Sequence, residues 1–284
     1  MKIFRTIASL RAALDADRRA GRTIGLVPTM GYLHEGHASL MRQARAECDV
    51  VVVSLFVNPA QFDDPADLAA YPRDEARDAA VAEGEGVAHL FAPPPSEIYP
   101  ADFATSVSVA GLTDPMEGER RGPAHFRGVA TVVAKLFNIA QPDAAYFGQK
   151  DAQQALVVRR MARDLDFRVR VAVCPTVREP DGLAMSSRNV RLDADARRRA
   201  VALVRGLDAA RARIDGGARH ATEVVDAARA AMGALGVEPE YFEVVSADTL
   251  APVDPLAGEL LVAVAARVGG VRLIDNVLVS VEGR

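Results

Sequence analysis

Residues 23–47 read TIGLVPTMGYLHEGHASLMRQARAE, and three textures follow one another within them. Ile24, Leu26 and Val27 form a short apolar run suited to a buried strand, whereas Leu40, Met41, Ala44 and Cys48 recur at helical spacing on one face. Between them Pro28-Thr29-Met30-Gly31-Tyr32-Leu33-His34-Glu35-Gly36-His37 makes a tight turn, so both histidines sit where a strand hands over to a helix N-terminus. Unsatisfied backbone N–H groups and the positive end of the helix dipole favour an anion there. Gly31 and Gly36 would let a phosphate come close to the main chain, and the imidazoles can donate to its oxygens. The same pair also reads as a satisfied surface pair, or as half of a metal site completed from elsewhere. Metal ligation is the weaker reading, because the spacing is not the i, i+4 pair of the zinc-protease helix and Cys48 and Cys174 lie far off without ligand spacing.

Working outward, Ile7, Leu10, Leu14 and the stop at Gly21 predict an amphipathic helix before this stretch. After it, residues 49–57 are a β-branched run of the kind found in parallel strands buried on both faces, ending in Asn58-Pro59-Ala60-Gln61-Phe62. Further elements are expected as a helix over 72–83, a strand over 87–91, a stiff connector at 92–95 and an exposed or edge strand over 105–109. The stretch 111–128, with Arg120, Arg121, His125 and Arg127, reads as a long loop, and loops of that length are more often functional or mobile than decorative. A helix over 128–141 and a strand over 144–147 follow. Gly148-Gln149-Lys150-Asp151 then opens a helix running to Leu165, and a strand covers 168–174.

Strands alternating with helices predict an α/β, Rossmann-like domain over 1–175: a parallel sheet with helices on both faces. Ligands of such sheets gather outside the carboxyl ends of the strands, so the His34/His37 turn, the Asn58/Gln61 loop and the Lys150/Asp151 loop are expected to open on one rim. Past Pro175 come a turn at 179–182, the polar run Met185-Ser186-Ser187-Arg188-Asn189, helices over 193–214 and 222–235, and strands over 240–245, 259–266 and 270–281. These predict a smaller C-terminal α+β domain over 176–284 that carries the 185–188 loop and covers the active site.

Half of the 284 residues are apolar, enough for a sizeable core. Lys and Arg total 34 against 38 for Asp and Glu, so the net charge of -4 gives no electrostatic footprint for nucleic acid, and any anion site must be local. The arginines of 193–213 read as a solvated helix face. Two isolated cysteines suit a reducing compartment. The first residues lack the apolar core of a signal peptide and no apolar run approaches the ~20 residues that span a bilayer, so a cytoplasmic protein without membrane contact is expected.

Arg188 offers a planar fork of donors suited to phosphate, and Ser186 and Ser187 add hydroxyls. A His-x-Gly-His turn after the first long strand, joined to a later Ser-rich basic loop, resembles the nucleotidyl-transferase superfamily. More narrowly, PTMGYLHEGH at 28–37, SLFVNPAQF at 54–62, HFRGVATVVAKLFN at 125–138, YFGQKDAQQ at 146–154 and REPDGLAMSSRN at 178–189 resemble the pantoate–β-alanine ligase (pantothenate synthetase) family. After residue 192 only RLIDN at 272–276 adds to the likeness.

The resemblance implies an ATP-dependent condensation of pantoate with β-alanine through an enzyme-bound pantoyl adenylate, with Mg2+ carried on the ATP phosphates and a homodimeric enzyme. It also implies site residues. The Met30–His37 turn, Gly148, Gln149, Lys150, Asp151, the Val177 backbone and Met185, Ser186, Ser187 and Arg188 would form the nucleotide pocket, with His37, His34, Lys150 and Arg188 as the catalytic set. Gln61 and Gln154 would hold pantoate, and Gln61 also lies by the β-alanine site. Tyr32 stands where a small residue is usual and Gln149 where glutamate is usual; neither change removes a proposed donor.

The residues agree with that chemistry. A carboxylate attacking the α-phosphorus is already ionised at neutral pH, so the step needs charge stabilisation rather than a base. Amides at Asn58, Gln61 and Gln154 suit a small hydroxylated acid without adding charge. Another adenylyl- or cytidylyl-transferase, whose acceptor is a phosphate, would more naturally place arginines where these amides stand. A nucleotide-binding sensor without catalysis would have no need of both histidines, Lys150 and Arg188.

Overall fold

A strand that is apolar at every position needs cover on both faces, and the chain provides it. The computed structural model describes residues 1–62 and 64–281, which divide into two compact units: 1–149 with 153–175, and 150–152 with 176–284.

The first unit runs β1 (Lys2–Phe4), α1 (Ile7–Arg19), β2 (Ile24–Thr29), α2 (Glu35–Glu47), β3 (Val50–Leu55), α3 (Pro65–Ala70), α4 (Glu75–Gly84), β4 (His89–Phe91), α5 (Pro95–Ile98), α6 (Glu117–Arg121), α7 (Pro123–Ala140), β5 (Ala144–Gly148), α8 (Ala152–Asp164) and β6 (Arg170–Cys174). Its sheet has the order β1-β4-β3-β2-β5-β6, and every pairing is parallel. Leu40, Met41 and Ala44 of α2 and Ala82 of α4 pack with Val27, Val51, Val53, Leu90 and Tyr146 on one face. Leu26, Val52 and Ala145, the alternate residues, are equally buried, and α7 lies against β2 with α1 beside it. The sheet is therefore sandwiched, as its β-branched runs require.

Local structure departs from expectation at several points, among them two short helices, α3 and α5, where none was expected. The segment 105–109 forms no strand; the Val107 N–H instead donates to Thr131 Oγ1 on α7 at 3.0 Å. β1, too short to show a period, pairs with β4. The helix expected over 72–83 starts at Glu75, where Asp74 caps it by accepting from Arg77 N–H at 3.0 Å. The supposed loop 111–128 contains α6 and the first turns of α7, and Gln153 pins it by accepting from Glu117 N–H and donating to the Leu112 and Pro115 carbonyls.

In the second unit, the single helix expected over 193–214 is two, α9 (Ala194–Arg199) and α10 (Ala202–Asp215), followed by α11 (Ala221–Gly233) and an antiparallel sheet of β7 (Pro239–Ser246), β8 (Gly258–Val268) and β9 (Val271–Val281) in that order. The break lets Ala196 of α9 sit against Gly269 in the β8–β9 turn, while α10 packs on α11 and the sheet. Leu203, Leu207, Val224, Met232, Val262 and Val264 form its core. Residues 150–152 cluster with this unit rather than with the first, because Asn276 on β9 holds the Lys150 carbonyl. Among the described residues no helix is long and apolar enough to cross a membrane.

Candidate active site

Parallel strands deliver their following loops to one edge, and β2 and β3 are paired to their last residues, Thr29 with Leu55. Thr29 Oγ1 donates to the Ser54 carbonyl at 2.8 Å and accepts from Gly31 N–H at 3.3 Å, tying the start of the His-bearing turn to the neighbouring strand. The turn itself is unusual backbone: Gly31 has φ +87° and Tyr32 φ +50°, a left-handed conformation that disfavours a side chain.

Asp78 of α4, 1% exposed, holds that shape. Its two carboxylate oxygens accept from Tyr32 N–H and Leu33 N–H, both at 2.7 Å. Arg77 completes the clamp by donating to the Leu33 carbonyl at 2.8 Å and placing its guanidinium 4.9 Å from the centre of the Tyr32 ring. Gly31 has no room for more: a Cβ there would meet Leu55 Cδ1 at 2.8 Å and Asp78 Oδ2 at 2.9 Å.

His34 and His37 end the turn as reciprocal caps of α2. His34 Nδ1 accepts from Gly36 N–H at 3.1 Å, and His37 Nδ1 accepts from His34 N–H at 3.3 Å. The rings lie 4.1 Å apart between centroids. Because each Nδ1 serves as an acceptor, the neutral rings carry their proton on Nε2, where it can be donated. Capping the helix is what fixes each ring.

At the end of β3 the amides are equally determined. Asn58, 1% exposed, accepts at Oδ1 from Tyr99 O–H (2.8 Å) and Ala60 N–H (3.3 Å), and donates from Nδ2 to Gln61 Oε1 (3.0 Å) and the Gly128 carbonyl (3.1 Å). Gln61 is thereby oriented with Nε2 toward Met30 Sδ at 3.0 Å, and His125 Nδ1–H donates to the Gln61 carbonyl at 2.7 Å. Burial pushes the Tyr99 phenol up to about 12, so it remains a donor throughout the physiological range. α7 comes so close that a Cβ on Gly128 would lie 2.1 Å from the Ala60 carbonyl oxygen.

Of the expected site residues, Met30–His37, Asn58, Gln61, Gly148, Gln149 and Gln154 belong to the first unit. Met30, Asn58 and Gln61 form one hydrogen-bonded set. Leu33 is wholly buried, leaving only its backbone to offer a ligand, and Glu35 is exposed and paired with Arg42. Gln154 lies half-buried on α8.

Lys150, Asp151, Val177 and Met185–Arg188 belong to the second unit. There Met185 N–H donates to the Val177 carbonyl at 3.0 Å, and Ser186 Oγ accepts from Arg188 N–H at 3.2 Å. Arg178 and Ala184 pair antiparallel, making 177–185 a hairpin; Arg197 grips Glu179 and Asp181 at its tip, and its bond holds the Asp181 carboxyl below the usual range. Lys150 Nζ lies 3.9 Å from Asp151 Oδ1. Among the described residues no group of three or more His, Cys, Asp or Glu gathers as a metal site.

Asp78, Arg77 and Tyr99 went unread in the sequence. Asp78 carried a signal, an acid four residues before Ala82 on the inward stripe of α4; Tyr99 carried none. Asp78→Asn can satisfy only one of the two N–H groups and turns an amide N–H toward the other, which costs about 1–3 kcal/mol. Turnover per folded enzyme is expected to drop about tenfold, with a lower melting temperature. Wild-type rate in a correctly folded variant would show that the clamp is dispensable to the turn.

The model of the family described as pantoate-beta-alanine ligase matches residues 2–278. Pantothenate synthetase of Cereibacter sphaeroides is 54% identical over 276 residues, covering 97% of this chain and 98% of the relative. That of Moorella thermoacetica is 52% identical over 286 residues, covering 99% and 100%. Among solved structures, pantothenate synthetase from Thermus thermophilus superposes with TM-score 0.92 at 48% identity, covering 98% of this chain and 99% of that one. Pantoate-beta-alanine ligase from Francisella tularensis, complexed with beta-gamma ATP and beta-alanine, superposes with TM-score 0.80 at 32% identity, covering 98% and 97%.

Proposed function

The chain belongs to the pantoate–β-alanine ligase family, and we propose that it condenses pantoate with β-alanine through an enzyme-bound pantoyl adenylate, cleaving ATP to AMP and pyrophosphate. One observation carries the assignment of substrate: the neutral Gln61 amide, oriented by Asn58 Nδ2, donates from Nε2 to Sδ of Met30, the residue that opens the His-bearing turn. A hydroxylated carboxylic acid gripped there would lie beside a phosphate at the N-terminus of α2.

In the first step a carboxylate oxygen of pantoate attacks the α-phosphorus and the bond to the pyrophosphate oxygen breaks. His34, His37, Lys150 and Arg188 stabilise the charge that builds on the phosphates. In the second, the neutral amine of β-alanine attacks the acyl carbon, the C–O bond to the phosphate-bridging oxygen breaks, AMP leaves with that oxygen, and the nitrogen gives up one proton to solvent as the amide forms. The Met30–His37 turn, Gly148–Asp151, the Val177 backbone and Met185–Arg188 hold the nucleotide; Gln61 and Gln154 hold pantoate, with Gln61 also toward β-alanine, and Asn58, whose own donors and acceptors are all used within the protein, orients Gln61 instead of touching the acid. Mg2+ carried on the triphosphate of ATP would neutralise part of its charge.

The test is AMP release in the presence of ATP, with pantoate and β-alanine omitted in turn. Release that needs both acids supports the assignment, and release with a phosphorylated acceptor instead would replace it. The amide cradle makes a finer expectation. Tyr99→Phe removes the donor to Asn58 Oδ1, a loss of about 1 kcal/mol or roughly fivefold, so KM for pantoate should rise about fivefold with KM for ATP unchanged. Equal changes in both would detach Tyr99 from the pantoate site.

The enzyme is further proposed to be a cytoplasmic homodimer, for which two free thiols, Cys48 and Cys174, suit a reducing compartment. Light scattering should return twice the 30.2 kDa chain mass, and a single-chain mass would remove the dimer.

A further inference from the structure

RLIDN at 272–276 carries part of the family likeness yet has no part in the chemistry above. It lies in β9, where Asp275 and Asn276 are successive residues and both are buried, at 3% and 5% exposure. A carboxylate and an amide side by side in a small core are costly unless fully partnered, and an apolar pair would serve folding as well.

Their partners are two separate pieces of chain. Asn276 Nδ2 donates to the Lys150 carbonyl at 2.9 Å. Asp275 takes the fork of Arg178, Nη1 to Oδ2 at 2.6 Å and Nη2 to Oδ1 at 3.0 Å, and also accepts from Asn276 N–H at 2.8 Å. Burial pushes this carboxyl up, while Arg178 and the charge of Lys150 pull it back. Arg178 Nη1 in turn donates to the Gly182 carbonyl at 3.0 Å, inside the hairpin in which Arg178 bridges Ala184 and Val177 receives Met185 N–H. One dipeptide of a C-terminal strand therefore holds both the 150–152 turn and the 177–185 hairpin.

We infer that Asp275 and Asn276 are positioning residues for nucleotide binding: Asn276 sets the backbone from which the Lys150 side chain reaches, and Asp275, through Arg178, sets the hairpin that presents Val177 and Met185–Arg188. This rests on the proposal that Lys150 and Arg188 meet ATP. The dipeptide touches no substrate itself, so its effect must pass through the residues it holds.

A double-mutant cycle in the full-length enzyme separates that from a contribution to folding. Turnover, KM for ATP and KM for β-alanine are measured in wild type, Asn276→Leu, Lys150→Ala and the double variant, with the directly titrated ATP dissociation constant as a second readout. Asn276→Leu alone is expected to weaken ATP binding about tenfold and leave KM for β-alanine unchanged, as the loss of one buried hydrogen bond allows. In the Lys150→Ala background the same change should add less than about twofold, because the side chain through which it acts is gone. An equal fold-loss in both backgrounds, or no loss in either, overturns the inference. The underlying proposal fails separately, if Lys150→Ala alone keeps wild-type turnover and ATP binding. Asn276→Ser, too short to reach the Lys150 carbonyl, repeats the cycle should the leucine variant not fold; failure of both to fold would assign the pair to folding and end the inference.

Discussion

His37→Ala is expected to turn over about 10²–10³-fold more slowly than wild type, the loss typical of removing one preorganised donor from a developing oxyanion. The Nδ1 of His37 is committed to His34 N–H at 3.3 Å, which fixes the ring and leaves Nε2–H as the group that can serve a phosphate oxygen. Alanine removes donor and cap together, and the lost cap costs about 1 kcal/mol. His37→Gln keeps the two apart, because glutamine at the third helical position can still accept from the N-cap N–H. The glutamine variant should melt close to wild type and remain slow. If it turned over normally, the imidazole itself would not be required, because the glutamine Nε2–H can donate in its place.

Gly128→Ala has the second largest expected effect, on the other substrate. A helix interior ordinarily gains from alanine by about 1 kcal/mol, yet here the added Cβ would lie 2.1 Å from the Ala60 carbonyl oxygen and 2.8 Å from Gln61 N. Backbone cannot yield as a flexible side chain does, so the turn Pro59–Gln61 must move off α7. Asn58 then loses its bond to the Gly128 carbonyl and Gln61 its partner in His125. kcat/KM for pantoate is expected to fall about 100-fold, near 2.7 kcal/mol, while ATP titrates with little change. Parallel losses for ATP and pantoate would mean that the helix as a whole has shifted, and wild-type kinetics would mean that the close approach is relieved elsewhere.

The β2–turn–α2 unit was legible because its signals are local: β-branched and aliphatic residues, then glycine, then apolar residues at helical spacing, all within 25 residues of sequence. Gly128 shows where that stops. A glycine after a proline-containing stretch reads as a loop residue, but Pro123 sits in the first turn of α7 and Gly128 lies inside it, small because Ala60 needs the room. Likewise 105–109 has strand composition without a strand partner, and propensity alone does not make a strand.

The chemistry-bearing motifs could be read by type and spacing. The groups that aim them could not, because Asp78 lies 45 residues from Leu33, Tyr99 41 from Asn58 and Asn276 126 from Lys150. Buried polar residues of this kind become visible only once the fold brings their partners to them.

The central claim is that pantoate's own carboxylate attacks the α-phosphorus. Pantoate labelled with ¹⁸O in both carboxylate oxygens tests it most directly, with products of a single turnover in the presence of ATP and β-alanine read by mass spectrometry. One ¹⁸O should appear in AMP and none in pyrophosphate, with one retained in the amide product. Label in inorganic phosphate together with ADP, or unlabelled AMP accompanied by product, would contradict the adenylate.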